Sequence, residues 1–486
     1  MFNFKSEYIQ INKDDRKNIM DSITIVGDNA IALYTALILN QRYKEHKISV
    51  IKDENDDSGT APVHHPFKEV AGLCGISLVP VMTAGRCTFR WGTKFEMDNK
   101  NSYLDFRVQG PYKHEFAQYP FIYGKLISED FSFLKIMHPD LYTSHVNKGI
   151  HPDQFHLDLK GVSEYLQNLC VEKDIKIITD TITKVEVKSD RIVSITGKKK
   201  YTSDFYIDAT GLKRTLIKHL KPEYISFSDS LPMNEMITFS GGDSTAYNTF
   251  TTVKYFKGGW LQSFPLWKST EYRFIYNNNK ISFNKAKEIV TKAVKQKLKF
   301  GKKVSIESGQ LRTPWINNCC AIGNSAGSVE PLEDTELGFA INQCFVLIHY
   351  LSSSTPEDRE VFNNKVTRIL SNIKNFVHLH YIGSKDFKLK TPDGLNKQLT
   401  MWKNRLPIVE DFAERYLLFD AEHFIRALYG LKLFNKERIK KEYNEINFLI
   451  REVAKIEWEK YAGTFKYKGL PHKKYLSYHY FYKDII

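Results

Sequence analysis

The chain has 486 residues, of which 42% are hydrophobic and 26% charged, a composition typical of a folded globular protein and not of a disordered one. Its 70 Lys and Arg exceed its 56 Asp and Glu, but no basic run of about five or six residues occurs, so nucleic-acid binding is not favoured. No apolar stretch reaches about 18 residues, and residues 1–18 lack the apolar segment of a signal peptide. The six cysteines show no CxxC or zinc-ligand spacing, which predicts reduced thiols and no metal site. We therefore expect a cytoplasmic protein with no membrane span and no nucleic-acid partner.

The predicted elements begin with a strand–helix–strand unit. Residues 22–27 (SITIVG) form a short apolar strand, residues 30–42 have a helical apolar pattern, and residues 48–51 (ISVI) form a second strand. This order is the beginning of a nucleotide-binding fold.

Later segments predict further strands and then helices. Residues 154–170 read as a short strand entering an amphipathic helix, and residues 234–276 contain segments that alternate as in an antiparallel sheet. We expect a mixed α/β fold. Its predicted parts begin with an N-terminal arm (1–21) and an interwoven module within 22–345, in which about 22–110, 150–220 and 305–345 bind the nucleotide and about 225–300 form a substrate-binding sheet. A mainly helical substrate-capping region (346–486) follows.

The turn after the first strand is an incomplete glycine-rich phosphate loop. In a GxGxxG loop, glycines let the backbone approach a pyrophosphate at the N-terminus of a helix. Only Gly27 is glycine here, but Asn29 tolerates a positive φ and Ala32 is small enough for close packing. The predicted dinucleotide contacts are Gly27, Asn29, Ala30, Ile31 and Ala32, with Asp53 after the second strand as the predicted ribose contact.

Two later segments resemble the flavin-contacting segments of flavoprotein hydroxylases and halogenases. Residues 203–211 (SDFYIDATG) are a buried strand that runs into an Asp-Ala-Thr-Gly turn. Residues 319–338 (CCAIGNSAGSVEPLEDTELG) are a strand, a Gly-Asn-x-Ala-Gly turn and the start of a helix. The resemblance implies a Rossmann-like FAD-binding domain of the flavoprotein-hydroxylase type, and it adds as FAD contacts Asp208, Gly211, Gly323, Asn324 and Leu337.

The resemblance to flavin-dependent halogenases of the tryptophan-halogenase type is specific at two motifs. Residues 92–95 (GTKF) match the segment in which the family carries its active-site lysine, and residues 329–335 (VEPLEDT) match the family's Val-Glu-Pro-Leu-Glu-Ser-Thr. The resemblance implies that Lys94 and Glu333 are the catalytic pair. It also implies a halide site at Thr335 and the backbone NH of Glu336.

The sequence departs from the family pattern beside the implied substrate pocket. The family's Trp-x-Trp-x-Ile-Pro stretch falls on residues 260–265 (WLQSFP), which places Gln262 at the central Trp. Glu336 stands where the family has glycine. The residues predicted to line an aromatic-substrate pocket are Trp260, Phe264, Pro265 and Trp402.

The resemblance implies two-component chemistry. Reduced FAD and oxygen convert a halide to hypohalous acid, which the protein holds beside an electron-rich aromatic substrate, such as an indole or a phenol. Lys94 would hold it either through an ammonium hydrogen bond or, as a neutral amine, through an N-halo adduct, and Glu333 would accept the ring proton. No second glycine-rich βαβ unit is found, so FAD would be reduced by a separate NAD(P)H-dependent flavin reductase.

Two other functions stay open at the level of the sequence. A flavin-dependent aromatic monooxygenase shares the fold and the oxygen chemistry, and Gln262 favours it. A flavin fold without catalysis, acting as a basic scaffold, fits the incomplete phosphate loop and the formal net charge of +14. The natural substrate, the preferred halide and the oligomeric state, including a homo-oligomer, stay open as well.

Overall fold

A computed structural model describes residues 20–53, 74–97, 100–105, 154–242, 247–382, 386–412, 414–453, 455–456 and 471–481. Residues 1–19 of the predicted N-terminal arm lie outside the described residues. The strands are β1 Ser22–Val26, β2 Lys47–Lys52, β3 Thr88–Arg90, β4 Gly92–Met97, β5 Lys100–Asp105, β6 Gln154–His156, β7 Lys176–Thr179, β8 Lys184–Lys188, β9 Arg191–Thr196, β10 Lys200–Tyr201, β11 Phe205–Asp208, β12 Tyr224–Ser226, β13 Glu235–Ser240, β14 Phe250–Phe256, β15 Gly259–Leu266, β16 Ser269–Tyr276, β17 Lys299–Ser305, β18 Gly309–Leu311, β19 Trp315–Ile316, β20 Cys319–Ala321 and β21 Gly327–Ser328.

The main helices of the described chain alternate with these strands at first and then follow them. They are α1 Ala30–Arg42, α2 Leu78–Ala84, α3 Leu159–Glu172, α4 Phe283–Val294, α5 Glu336–Tyr350, α6 Pro356–Leu379, α7 Asp393–Trp402, α8 Ala421–Gly430, α9 Lys436–Glu445 and α10 His472–Phe481. None of the helices in the described ranges is long and apolar enough to cross a membrane.

The first large sheet has the strand order β19-β20-β11-β1-β2-β7, with only the edge strand β19 antiparallel. Its apolar strands are buried on both faces, as parallel sheets require, and Ile23, Ile25 and Val50 have no exposed surface. Helix α1 packs against α3 and α5, and because it is apolar all round it lies inside the core. The carboxyl ends of β1, β11 and β20 meet at one edge, where folds of this kind bind their ligands. The predicted Rossmann-like sheet is confirmed.

The second large sheet separates two apolar cores. Its strand order is β17-β13-β16-β15-β14-β4-β5, and only β14 and β4 run parallel. Because side chains alternate along a strand, one face carries Phe95, Val253 and Ile275 into the main core. The other face carries Leu261 and Phe274 into a smaller core, which α4 covers. Each side chain on this sheet therefore points towards one core or towards the other.

The boundaries of this second sheet differ from the prediction. The sequence assigns residues up to about 110 to the nucleotide-binding module and residues 225–300 to the substrate sheet. The structure places β4 and β5 in the same sheet as β13 to β17, because β4 pairs with β14 from Phe250↔Gly92 to Lys254↔Glu96. No pattern within residues 92–105 shows this pairing, since it joins segments far apart in the chain.

The region after residue 346 is mainly helical where it is described, as the sequence predicts. Helix α6 begins at a capping box formed by Thr355 and Asp358. The last helix, α10, contacts two distant segments of the chain through His472. Its Nδ1 donates to the carbonyl of Tyr247 at 2.8 Å, and its Nε2 accepts from the NH of Phe89 at 3.3 Å. Burial lowers the pKa of His472 to about 4, so the ring is neutral and serves both contacts.

Candidate active site

The phosphate loop keeps its close backbone approach at Gly27. This residue has φ +157°, and a Cβ there would lie 2.5 Å from the carbonyl oxygen of Ala209, so only glycine fits between β1 and β11. Asn29 caps α1, because its Oδ1 accepts from the NH of Ala32 at 3.2 Å. Ala30, Ile31 and Ala32 are buried, so only their backbone can face a pyrophosphate. These features fit a dinucleotide at the N-terminus of α1.

Asp208 organises the turn after β11. Its carboxylate is fully buried and accepts hydrogen bonds from Thr210, Leu216, Ile217 and Ser325, at distances from 2.7 to 3.1 Å. A carboxylate that is satisfied in this way holds the backbone of the turn. We therefore find Asp208 behind the surface that a cofactor would touch, while the backbone after it forms that surface.

Gly211, Gly323 and Asp53 surround the same edge of the first sheet. Gly323 has φ +63° and lies against Ile31, whose Cδ1 would be 3.0 Å from an added Cβ. Gly211 has open space around its Cα. Asp53 accepts from the hydroxyl of Thr181 at 2.6 Å and lies 3.4 Å from the ammonium of Lys213. The predicted FAD contacts from three distant segments therefore come together.

Glu333 lies in the segment that links β21 to α5, and its carboxylate is in an unusual position. The side chain is 0% exposed, and neither carboxylate oxygen accepts a hydrogen bond from a described residue. Nε2 of His380 lies 3.2 Å from Oε1 of Glu333. A buried carboxylate normally has hydrogen-bond donors, so these oxygens are suited to a ligand that brings its own proton.

The residue after Glu333 fixes this segment to the second sheet. Asp334 has φ +51° and forms a fully buried ion pair with Arg273 of β16. Gln262, on the neighbouring strand, donates from Nε2 to the carbonyls of Pro331 and Leu332 at 3.1 and 2.8 Å. Gln262 therefore holds the backbone that carries Glu333. The residue that departs from the family pattern thus has a structural role.

Lys94 lies on the other face of the second sheet. Lys94 pairs with Thr252, Thr252 pairs with Ser263, and Ser263 pairs with Tyr272, so these side chains share the face of the smaller core. The Lys94 ammonium is 2.7 Å from Oε1 of Glu96, and its side chain is 21% exposed. Its neighbour Phe95 points the opposite way and packs on the ring of His380 at 4.7 Å. The predicted pair of Lys94 and Glu333 is thus not an ion pair among the described residues.

Arg90, the last residue of β3, is a buried arginine with several hydrogen bonds. It is 1% exposed and donates to the carbonyl of Gly92 at 3.2 Å, to Oε1 of Gln154 at 2.8 Å and to Oγ1 of Thr93 at 2.6 Å. Burial lowers the pKa of Arg90 to about 9, and the negative charges of Glu333 and Asp334 partly oppose this lowering. The guanidinium is therefore within electrostatic reach of both carboxylates and charged at neutral pH.

The predicted halide residues lie where α5 begins. Thr335 is the N-cap of α5 without a side-chain capping bond, so its hydroxyl is not used by the helix. Glu336 is solvent-accessible. Desolvation by the surrounding protein raises the pKa of its carboxyl, and a hydrogen bond from Asn324 acts in the opposite direction. Leu337 is buried behind them. A helix N-terminus favours an anion, whereas the carboxylate of Glu336 opposes one while it is charged.

The predicted pocket residues do not form one group. Trp260, Phe264 and Pro265 are buried in β15, and Trp260 donates from Nε1 to the hydroxyl of Tyr381 at 2.9 Å. Trp402 lies in the helical region, where Nε1 donates to Asp411 at 2.8 Å and the ring stacks on Phe412. In the described structure Trp402 therefore belongs to the core of the helical region.

Sequence reasoning missed Arg90, Arg273 and His380 as members of the site. A signal for His380 is present, because residues 375–381 (NFVHLHY) resemble the corresponding segment of the family. Arg90 and Arg273 give no signal of their own, since a single arginine in a strand is usually a solvated residue. Their place follows only from the alternation of side chains in a sheet whose strand order the sequence does not show.

Solved structures that resemble this fold include flavin-dependent halogenases. A flavin-dependent halogenase from Xanthomonas campestris matches with a TM-score of 0.81 at 17% identity, covering 95% of this chain and 99% of that one. A tryptophan halogenase from Shewanella frigidimarina matches with a TM-score of 0.81 at 18% identity, covering 96% of this chain and 98% of that one.

The sequence profile of the tryptophan halogenase family matches residues 22–442, and the chain belongs to this family. The 7-chloro-L-tryptophan 6-halogenase KtzR of Kutzneria sp. is 23% identical over 56% of this chain, and the tryptophan 6-halogenase SttH of Streptomyces toxytricini is 23% identical over 59%. These matches span 57% and 59% of the two relatives' own lengths. The predicted family is confirmed.

Proposed function

We propose that this protein halogenates an electron-rich aromatic substrate, using reduced FAD, oxygen and a halide. The observation that carries the proposal is the Glu333 carboxylate, which is buried without a hydrogen bond from the described residues and lies 3.2 Å from Nε2 of His380. This arrangement suits a carboxylate that accepts a proton from a ring. The family supports the proposal, since its named relatives are a 7-chloro-L-tryptophan 6-halogenase and a tryptophan 6-halogenase.

FAD fits the edge of the first sheet where β1, β11 and β20 end. The close approach at Gly27 and the N-terminus of α1 would hold the pyrophosphate, and Asp53 would meet the ribose. Gly211, Gly323 and Asn324 would present backbone and amide groups beside the flavin. Reduced FAD and oxygen supply the oxidising power that turns a halide into hypohalous acid. A separate NAD(P)H-dependent flavin reductase would deliver the reduced FAD.

The chain's own residues would confine and use the hypohalous acid. Thr335 and the NH of Glu336 would hold the halide at the start of α5. Glu333 would accept the proton that leaves the ring as the carbon–halogen bond forms. The sequence gives the task of holding hypohalous acid to Lys94, but the ammonium of Lys94 is engaged with Glu96 on the other face of the sheet.

The substrate class follows from the chemistry and from the relatives. Indoles and phenols are electron-rich enough to react with hypohalous acid, and the relatives named above act on an indole, tryptophan. The first substrates to test are therefore tryptophan, other indoles and simple phenols.

The test is a halogenation assay of the purified protein with FAD, a flavin reductase, NADH, oxygen and bromide. Mass spectrometry should show a product with the isotope doublet of bromine. Glu333→Gln should lower this product by about 10²- to 10⁴-fold while FAD binding is unchanged, because general acid–base catalysis contributes about that much. Lys184→Gln, an exposed change on β8, is the control and should keep the activity.

Two outcomes would contradict the proposal. A product that gains one oxygen and no halogen would show a flavin-dependent aromatic monooxygenase, the function that the departure at Gln262 favours. A protein that does not bind FAD, and is retained on anionic polymers in a salt-sensitive way, would act as a basic scaffold.

A further inference from the structure

Glu333 and His380 form a buried pair of titratable side chains. Nε2 of His380 lies 3.2 Å from Oε1 of Glu333, and the two side chains are 3% and 0% exposed. Neither carboxylate oxygen accepts a hydrogen bond from a described residue. A charged carboxylate that is buried in this way is costly unless a neighbouring group balances its charge. In the described part of the chain, the group in contact with this carboxylate is the imidazole of His380.

The backbone of helix α6 fixes which nitrogen of His380 can take up a proton. Nδ1 lies 3.2 Å from the carbonyl oxygen of Val377, and a carbonyl only accepts, so Nδ1 carries a hydrogen. In the neutral ring Nε2 is then the nitrogen without a hydrogen. A proton that the ring gains is therefore placed on Nε2, the nitrogen nearest to Glu333.

Helix α6 also favours a positive charge on His380. This residue is the C-cap of a helix of 24 residues, and the carbonyl of Val377 belongs to the last turn. Carbonyl groups at the C-terminal end of a helix carry a partial negative charge, which stabilises a protonated histidine. The rings of Phe95 and Phe376 pack on the imidazole with ring centres 4.7 and 5.8 Å away, so the imidazole has little room to turn away from Glu333.

The charged side chains on the neighbouring elements already have partners. Asp334 forms its ion pair with Arg273 of β16, Glu330 accepts a hydrogen bond from Tyr381, and Arg90 of β3 donates to Gln154, Thr93 and the carbonyl of Gly92. Exchange of a proton with the Glu333 carboxylate is therefore assigned to the side chain that lies against it and is not engaged elsewhere through the nitrogen concerned.

We propose that His380 carries a proton on Nε2 and so keeps the buried Glu333 a carboxylate, ready to accept the proton that leaves the substrate ring. The proposal rests on the proposed halogenation and makes His380 a positioning residue, which acts through Glu333. An imidazolium beside a carboxylate leaves the buried pair without net charge. The contact is not aligned as a hydrogen bond, and catalytic hydrogen bonds are often poorly aligned until the substrate binds.

The proton balance closes within the site once hypohalous acid is present. The ring carbon forms its bond to the halogen as the oxygen–halogen bond breaks, so the halogen is reduced and the carbon is oxidised. Glu333 takes the ring proton, and the pair, which then holds two protons, gives one to the hydroxide that leaves. The net change is ArH + HOX → ArX + H₂O, and the pair returns to one proton. This balance holds whichever residue binds the hypohalous acid.

The first experiment is the pH profile of halogenation by wild type, His380→Gln and the control His349→Gln, an exposed change on α5. The amide at position 380 keeps an N–H group but cannot carry the extra proton. A buried carboxyl without a balancing cation keeps its own proton to a higher pH. We therefore expect His380→Gln to lose about 10-fold or more of kcat at pH 6.5 and to recover most of that loss at pH 8.5, where Glu333 ionises by itself. KM and FAD binding should be unchanged.

A loss that does not depend on pH would overturn the proposal. If His380→Gln is slower than wild type by the same factor at every pH, the ring only places the carboxylate and does not control its proton. If its kcat equals that of wild type at every pH, the ring has no part in the reaction. The control His349→Gln should keep the wild-type profile, and a shift in that variant equal to the shift in His380→Gln would also contradict the proposal.

The second experiment needs no activity, so it separates this inference from the proposed function. The free energy of unfolding is measured by urea denaturation at pH 5 and pH 6.5 for wild type, His380→Gln, Glu333→Gln and the double variant. An unfolded chain releases a glutamate proton at about pH 4.3 but keeps a histidine proton until about pH 6.5. Over this range the unfolded chain and the folded wild-type pair both hold one proton, so the pair adds no pH dependence to the stability.

The two single variants should change in opposite directions relative to wild type. In His380→Gln the folded state keeps a carboxyl proton that the unfolded chain has released, so stability should fall from pH 5 to pH 6.5. In Glu333→Gln the buried ring has lost its counter-ion and stays neutral, while the unfolded chain is protonated, so stability should rise. The double variant has neither group and should run parallel to wild type.

The slopes decide between the outcomes. If both single variants run parallel to wild type, Glu333 and His380 share no proton and the proposal fails, whatever the enzyme halogenates. Opposite slopes in a protein that yields no halogenated product would support the charged pair and contradict the proposed function alone.

Discussion

His380 Nε2 lies 3.2 Å from Oε1 of Glu333, and both side chains are buried. The other ring nitrogen of His380 faces the carbonyl of Val377 at 3.2 Å, where it can only donate. The ring also packs on Phe95 and Phe376. His380 is thus held by its backbone contact and by two aromatic rings, with Nε2 beside the carboxylate that the proposed reaction uses.

We expect His380→Ala to lower kcat by about 10- to 100-fold and to change KM little, because small displacements of a catalytic group carry costs of this order. Reduced-flavin turnover and FAD binding should be unchanged. Steady-state halogenation with a saturating reductase measures this, and His349→Ala, on α5 and partly exposed, is the matched control. An equal loss in both variants would mean that His380 does not position Glu333.

Gly27→Ala should destabilise the protein and abolish FAD binding. The new Cβ would lie 2.5 Å from the carbonyl oxygen of Ala209, which forces β1 and β11 apart at the edge proposed to hold the pyrophosphate. The control is Gly242→Ala, because Gly242 has no atom within 4 Å of an added Cβ. Thermal melts and flavin fluorescence titration measure the two effects. Normal FAD affinity in Gly27→Ala would remove this loop from the cofactor site.

Glu330 makes the stability of the protein depend on pH. Burial raises its pKa from 4.5 to about 8, although Tyr381 and the NH of Met233 donate hydrogen bonds to it. Between these two values the folded state holds a proton that the unfolded state releases, so the free energy of unfolding falls as the pH rises and levels off above about pH 8.

The measurement for Glu330 is urea denaturation from pH 5 to pH 9. Relative to wild type, Glu330→Gln should gain stability as the pH rises, because the amide has no proton to lose. Parallel curves for the two proteins would show that Glu330 ionises normally.

Gln262→Leu should lower the free energy of unfolding by about 1–3 kcal/mol, because it leaves the carbonyl of Leu332 without its donor. It should also lower the halogenation rate, since Leu332 leads directly to Glu333. Ser263→Ala, the next residue on the opposite face of β15, is the control. Unchanged stability in Gln262→Leu would mean that the glutamine does not hold this segment.

The sequence alone determined the family, the mixed α/β fold and the flavin segments. Local spacing carries this information, because a strand, a turn of small residues and a helix N-terminus are adjacent in the chain, as at Gly27 and Gly323. The same is true of Glu333, whose motif is continuous over residues 329–335. These predictions did not depend on how distant segments pair.

Only the tertiary structure decided which side chains meet Glu333. The sequence alone points to Lys94 as the partner of Glu333. The pairing of β4 with β14 turns Lys94 to the smaller core, while Phe95, on the opposite face, packs on His380 beside Glu333. The physical reason is that a shift of one residue along a strand reverses the face of its side chain, and the strand order that gives each face its neighbours is set by contacts between residues far apart in the chain.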